Sequence, residues 1–494
     1  VHRLVGIRNA EVDGRLCDVW WREGVVVAIG EHHAASGIPV TWLDADGGAV
    51  VPALHDHHLH LMAIGAARES WNVGPPGVRA VEEFRSVLAE AGRSQTPGEW
   101  IRAIGYHESV AGPLDRGRLE ALAPDLARIP LRVQHRTGQM WMLNGAACDD
   151  VDLRDVEHPG VERDGDGVPT GRVFAGSNGD DPLRDRVPQV ERDLVAVARE
   201  LACLGVTGVT DLTPTVDQGH LDRLVGLATD PRCPIRLTVT GGAAVSTWTS
   251  QIVGVGPVKI LPAERHVHDV EQILRDIAAA RAAGRAVAIH CVTRVGLVVA
   301  VAALREAGVS PGDRIEHAAV VPGELVDDLR ALGLLVVTQP NFVFERGDEY
   351  LTDVEPGDLP SVWRCGSLAS AGVPVAGGTD APFGDIDPWA AMRAAVDRRT
   401  SSGALLGPDE AVTPRDALDL FSGTADQPSR PRRVTTGART DLCVLRVPMV
   451  AALGALARDH VRATVGPSGI IEADEGAAPS LRQRMSERRS RDGA

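Results

Sequence analysis

Between Gly48 and Asp380 short apolar runs alternate with amphipathic ones, and this alternation constrains the fold more than any other feature of the chain. The runs GAVVPAL, GVTGVTDL, PIRLTVT, PVKIL, AVAIH, DRIEH, LLVVT and PVAGGTD have the length and composition of buried strands. Between them VERDLVAVARELACLG, HLDRLVGLA, VEQILRDIAAARAAG, GLVVAVAALREAG, ELVDDLRALG, SLASAG and DPWAAMRAAVDRR read as helices, several closing on glycine. A parallel return between strands needs a long crossover, so this order builds βαβ units around a parallel sheet. Eight such strands predict an α/β fold of the (β/α)8, TIM-like barrel type, whose active site lies at the C-terminal ends of the strands.

The 494 residues leave room for more than one barrel. Residues 1–50 hold LCDVWW and VVVAIG, and residues 432–475 hold DLCVLRV and RATVGPSGIIE. These short strand-like pieces predict one small β-sandwich domain built from both termini, around a barrel spanning 51–431. The interval from about 67 to 188 breaks the alternation with a helix (VEEFRSVLAEAG), two strand-like pieces (WIRAIGY and PLRVQHR) and the turn-rich VERDGDGVPTGRV. It reads as a large insertion after the first barrel strand, while the polar, Arg-rich residues 476–494 read as a disordered tail.

A net charge of −16 opposes binding to a phosphate backbone, which excludes nucleic acid as the main ligand. The seven cysteines are scattered and form no C-x-x-C pair, as expected in a reducing compartment. No apolar run is long enough to cross a membrane. The expectation is a cytoplasmic protein acting on a small-molecule substrate.

Chemistry concentrates in VPALHDHHLHLMAIGA, residues 51–66, where His55, His57, His58 and His60 follow an apolar run. Strand alternation puts Asp56, His58 and His60 on one face, so two imidazoles converge from a strand end while His55 and His57 face away, to pack or to meet solvent. At the ends of later strands stand Asp211, Lys259, His290, His317 and Asp380. Each has an ordinary alternative: a core histidine donating to a carbonyl, or an aspartate capping the next helix. Occurring together at strand ends, His58, His60, His290, His317 and Asp380 instead form an imidazole and carboxylate set suited to a divalent ion such as zinc. Lys259 is the chain's single lysine against 50 arginines, which marks a position where a primary amine is needed and a guanidinium will not serve.

With these residues in place, HDHHLHL, VKIL, AIHCV, RIEHA, TQPNF and GGTDAPFGDIDPWAAMRAAVDRR resemble, in order, the barrel motifs of the metal-dependent amidohydrolases. The details resemble amidohydrolase family 3 and its subgroup that includes N-substituted formamide deformylases, over roughly residues 1–475. The resemblance implies one or two divalent ions, zinc first, and carbon dioxide added to Lys259 as a bridging carbamate. It implies His58, His60 and Asp380 on one ion, His290 and His317 on the other, and Asp380 as the catalytic acid and base. The implied reaction is hydrolysis of a small amide-type C–N bond, with lactone, cyclic imide or urea hydrolysis, deamination, and metal-dependent decarboxylation or isomerisation as alternatives, and a non-catalytic binding protein as the remaining class. Dimerisation is an expectation from the family alone. The chain departs from the subgroup in the insertion, where Gly138, Gln139, Met140, Trp141, Met142, Leu143 and Asn144 stand for its Gly-His-Ser before Trp-Val-Asn, and after the fifth strand, where Cys291, Val292, Thr293 and Arg294 follow His290; Gln139, Trp141, Asn144 and Arg294 are the residues expected to touch substrate.

Overall fold

The structure is a computed structural model that describes residues 4–30, 40–95, 98–176, 180–189, 192–242, 245, 248–262 and 269–473. The tail expected beyond residue 475 lies outside the described residues. The described residues divide into two compact units, one gathering residues up to Leu61, Leu194–Ile260 and 269–473, the other built on Met62–Asp193.

In the first unit eight parallel strands follow the expected order: β1 (Leu54–Leu59), β2 (Val206–Asp211), β3 (Arg236–Val239), β4 (Val258–Ile260), β5 (Val287–Cys291), β6 (Arg314–His317), β7 (Leu335–Thr338) and β8 (Val375–Gly377). They lie in a four-stranded sheet that also holds the short Gly254–Val255, and in a five-stranded sheet running β4 to β8. Backbone bonds join the ends of these sheets: Asp380 N donates to His58 O at 2.7 Å, and Lys259 N donates to Gly241 O at 2.9 Å. Gly378 is required at the first junction, since a Cβ there would lie 2.6 Å from that of His58.

The alternation of side chains along these strands separates chemistry from packing. Val258, Ile260, Val287, Ile289, Cys291, Ile315 and Val336 join Ile273, Ile277, Leu297, Leu304 and Leu329 of the covering helices in one buried cluster. Lys259, His290, Arg314 and Glu316 occupy the intervening positions. Each fully buried Ile or Leu contributes roughly 1.5–3 kcal/mol, which offsets the cost of the polar positions between them. The helices start where local side chains satisfy their first N–H groups: Asp217 accepts from His220 N, Asp269 from Gln272 N and Thr293 from Gly296 N.

The first strand differs from its expected position. Val50–Pro52 pairs antiparallel with Leu442–Leu445 in another sheet, and β1 starts only after that, so His55, His57 and His58 lie within the strand and His60 just past its end. Proline at 52 marks the change of sheet, as expected for a residue that cannot donate to a ladder. The helix Asn341–Asp353 was not legible as a periodic pattern. Two antiparallel or mixed four-stranded sheets, one from residues 4–44 and one from Val50–Pro52 with residues 442–472, supply Ile7, Val19, Trp21, Val50, Leu442, Val444 and Val465 to a single buried cluster.

The second unit contains a six-stranded sheet where the sequence offered two strands. Ile101–Tyr106 and Leu131–His135 match WIRAIGY and PLRVQHR, and the helix Val81–Ser94 matches VEEFRSVLAEAG. The additional strands are Trp71–Asn72, Met140–Leu143, Val161–Arg163 and Pro169–Phe174.

Candidate metal centre

His58, at the fifth position of β1, and His60, just beyond it, meet Asp380, just beyond β8. One ligand atom from each lies within 4.8 Å of the others. His60 Nε2 is 3.2 Å and His58 Nε2 3.5 Å from Asp380 Oδ1, while His317 Nδ1 is 4.0 Å from Asp380 Oδ2. The His58 and His317 rings lie 4.6 Å apart, and those of His317 and His290 4.5 Å apart. The structure therefore brings the four imidazoles and the carboxylate together.

Backbone anchors hold this geometry. Asp56 accepts from His58 N at 3.0 Å and from Thr379 N at 3.1 Å, tying β1 to the end of β8. Asp211, at the end of β2, accepts from Leu61 N and Thr213 N, both at 2.9 Å, and fixes the turn that follows His60. Burial pushes Asp56 up to about 7 despite these donors, so its environment disfavours charge even though its role is to accept.

Two imidazoles have one ring nitrogen committed elsewhere. His58 Nδ1 lies 2.6 Å from Glu316 Oε2, and His317 Nδ1 lies 2.8 Å from Gln339 Oε1. Both partners are acceptors, so each Nδ1 carries the proton and each Nε2 presents a lone pair. His58 Nε2 is buried with no hydrogen-bond partner, a costly state for a polar atom unless an ion takes the lone pair. Burial, then the charge of Lys259, lowers His58 to about 4, so it is neutral as a ligand must be. Burial, then His290 and His58, moves His317 well below the ordinary histidine value.

Glu316 is the charged residue that sequence reading missed. It contacts Arg314 Nε at 2.5 Å as well as His58, and both side chains of that pair are within 2% of full burial. Burial acts to raise Glu316, but Arg314 and then His58 outweigh it and hold the carboxyl at about 2. The available signal was its place next to His317 in RIEH. Gln339 lies in TQPNF, where nothing in the sequence pattern ties its amide to a histidine.

Lys259 Nζ is buried without a hydrogen-bond partner, and burial lowers it to about 8 although Glu316 and Asp380 act to raise it. Asp380 is held below the ordinary carboxylate value: burial opposes ionisation, but the His60 hydrogen bond and the electrostatic interactions with His58, His60 and Arg346 prevail. The donor set thus fits a divalent ion, with His58 and His317 kept neutral, an ionised carboxylate and an unpartnered lone pair on His58.

His55 and His57 face away as expected, and both pack in the interior. Their rings stack at 4.4 Å, and His55 Nε2 meets Thr210 Oγ1 at 2.9 Å. Arg294 opens the helix Arg294–Ala307 and pairs with Asp358 and with Glu324 at 3.3 Å. Gln139, Trp141 and Asn144 belong to the second unit. Trp141 is flanked by Arg132 at 4.8 Å and Arg102 at 5.3 Å. Asn144 accepts from Leu131 N and Ala147 N and donates to Leu126 O and Ile129 O, so its amide is consumed in holding backbone. The backbone carbonyl of Gln139 accepts from Ala175 N at 2.9 Å.

Imidazoles and a carboxylate at the carboxyl ends of parallel strands define the class, an α/β protein with a candidate metal site at the mouth of its sheet. The sequence pattern of the amidohydrolase family matches residues 41–465, and the chain belongs to that family. It is an enzyme, a hydrolase of carbon–nitrogen bonds. It is 27% identical over 475 residues to the N-substituted formamide deformylase of Arthrobacter pascens, covering 84% of this chain and 86% of that one. Its fold is similar to that of an uncharacterized metal-dependent hydrolase from Pyrococcus horikoshii, with a TM-score of 0.67, 21% identity, and coverage of 90% and 97%. N-isopropylammelide isopropylaminohydrolase from Burkholderia multivorans is similar with a TM-score of 0.52, 16% identity, and coverage of 95% and 98%. Among the described residues no helix is long and apolar enough to cross a membrane.

Proposed function

We propose that this amidohydrolase cleaves the C–N bond of a small amide, with N-substituted formamides as the first substrate class to test. His58, His60 and Asp380 would hold one zinc ion and His290 and His317 a second, with Lys259, once carboxylated, as the remaining anionic ligand. The observation that carries the reading is the convergence of three ligand atoms within 4.8 Å beside the buried, unpartnered His58 Nε2. The reading takes β1 to β8 as one closed (β/α)8 barrel, supported by the backbone bonds that join β8 to β1 and β4 to the end of β3, and the two terminal sheets as a sandwich.

When bound, such ions polarise a carbonyl and lower the pKa of water toward about 7. The chain's own residues supply the proton transfers. Asp380, ionised at neutral pH, takes a proton from the attacking water and returns it to the departing amine nitrogen. Glu316 holds His58 in the tautomer that leaves Nε2 bare. Lys259, with a neutral fraction near pH 8, can attack carbon dioxide: the N–C bond forms, one proton leaves, and a carbamate anion results.

The test is zinc analysis followed by an activity screen of reconstituted enzyme against formamides, N-acylamino acids, cyclic imides, ureas and lactones. Stoichiometric zinc and C–N hydrolysis are expected, with formamides cleaved fastest. Protein that binds no zinc, manganese or iron stoichiometrically refutes the metal reading. Turnover of lactones alone refutes the substrate class.

A further inference from the structure

The second unit carries a constellation that the metal centre does not use. Ile101–Tyr106 and Leu131–His135 run parallel with Tyr106 opposite His135, so the chain leaving the first strand lies beside the end of the second. This register brings together His107, Glu108 and His135, one ligand atom of each lying within 4.8 Å of the others. His135 Nε2 is 3.0 Å from Glu108 Oε2, and His107 Nε2 is 4.0 Å from the same oxygen. The two rings stand 5.9 Å apart, tilted by 42°.

The outer side of the cluster repeats itself. His107 Nδ1 lies 2.9 Å from Ser109 Oγ, and His135 Nδ1 lies 2.9 Å from Thr137 Oγ1, each hydroxyl two residues further along the chain. Backbone N–H groups of Ser109 and Thr137 also approach these nitrogens, at 3.3 Å. An ion pair accounts for His135 and Glu108, and a helix cap accounts for His107 Nδ1. Neither accounts for both Nε2 atoms facing one carboxylate oxygen with both Nδ1 atoms held by hydroxyls. Glu108, held at about 2 chiefly by its bond to His135, is an anion at neutral pH. Its side chain is 39% exposed beside imidazoles that are 15% and 13% exposed, so the cluster is reached from solvent on the side of the glutamate.

We propose that His107, Glu108 and His135 form a second, separate binding site for a borderline divalent transition ion such as zinc. Two imidazoles and one carboxylate favour such an ion over magnesium or calcium, which take oxygen sets. Ligation through Nε2 requires the proton on Nδ1, where Ser109 Oγ and Thr137 Oγ1 accept it in place of the weaker contacts from the backbone N–H groups. The ion ties the ends of two parallel strands together.

The site is tested on the full chain by stripping it with chelator and titrating with zinc under equilibrium dialysis. The comparison is between wild type, His107→Asn with His135→Gln, and Ser109→Ala with Thr137→Ala. Wild type is expected to bind one more equivalent than the histidine variant, whatever the occupancy of the strand-end centre. The hydroxyl variant, which keeps all three ligands, is expected to retain that equivalent at 10- to 100-fold lower affinity. Equal stoichiometry in wild type and the histidine variant overturns the proposal. If the histidine variant does not fold, the hydroxyl variant decides, and zinc affinities identical to wild type in every equivalent overturn it.

Discussion

Replacing Glu316 with glutamine tests the electrostatic frame of the metal centre. The side chain keeps its shape, and its amide oxygen can still accept from His58 Nδ1, but the amide NH2 then faces Arg314, which loses a carboxylate 2.5 Å away in a site where both partners are within 2% of full burial. Removing one partner of such a pair costs about 3–5 kcal/mol. Proton linkage gives a second route to the magnitude. Glu316 is lowered from 4.5 to about 2, a difference of about 2.5 units, or about 3 kcal/mol at about 1.4 kcal/mol per unit. The sign follows from a folded pKa below the unfolded one: the stabilisation is full above about 4.5 and fades as pH falls through that value toward 2. Urea unfolding of zinc-free wild type and Glu316→Gln is therefore expected to differ by about 3 kcal/mol at pH 7, and the gap is expected to narrow between pH 5 and pH 3. Zinc affinity is expected to fall about 10- to 100-fold, since the His58 partner weakens. A stability gap under about 1 kcal/mol at pH 7, or one that stays constant down to pH 3, refutes the reasoning.

Asp380→Asn is expected to lower kcat about 100- to 10,000-fold, and near-wild-type hydrolysis at unchanged zinc content counts against Asp380 as the proton carrier. Lys259→Arg is expected to lose the bridged ion. Stripped wild type reconstituted with zinc is expected to recover faster with bicarbonate and as pH rises through about 8, where the Lys259 amine becomes neutral; full loading of the arginine variant, or recovery indifferent to bicarbonate, refutes the carbamate. Asn144→Ala is expected to lower stability by about 2 kcal/mol with KM unchanged, because it removes a helix cap and two carbonyl partners; a raised KM at unchanged thermal midpoint would return Asn144 to the substrate.

The parallel strands were legible because a buried strand and an amphipathic helix differ in period, and each of the eight runs was long enough to show it. Where the signal failed, a physical cause is visible. GAVVPAL reads as one apolar run, yet it is shared between two sheets because Pro52 interrupts the ladder, and periodicity carries no record of which neighbour a strand pairs with. NFVFERGDEYLTD hides a helix because Gly347 packs against Thr400 and the exposed Phe344 breaks the apolar stripe. In the second unit the short strands Val161–Arg163 and Met140–Leu143 are held by cross-strand pairing, a long-range property that composition does not reveal.

Glu316 escaped for a different reason, and it explains how the centre is built. In a regular strand Glu316 and His317 point to opposite faces, so reading His317 as a ligand sends Glu316 to the helix side. The chain avoids that choice by leaving the strand at once: His317 has φ 68° and Ala318 φ 48°, both in the left-handed region. Ile315 faces the helices and Glu316 the site in ordinary alternation, and the left-handed turn at His317 brings the next side chain to the site as well. One strand end thereby supplies both the proposed ligand His317 and the carboxylate that orients His58 across from it. Asp380 is likewise left-handed, with φ 56° three residues beyond β8 and its N–H donated to His58 O. Such backbone costs of order 1–3 kcal/mol at each non-glycine residue. The neighbouring strands hold it in place through the Asp56, Thr379 and Ala381 hydrogen bonds, so the strain falls where two strand ends must aim side chains at one point.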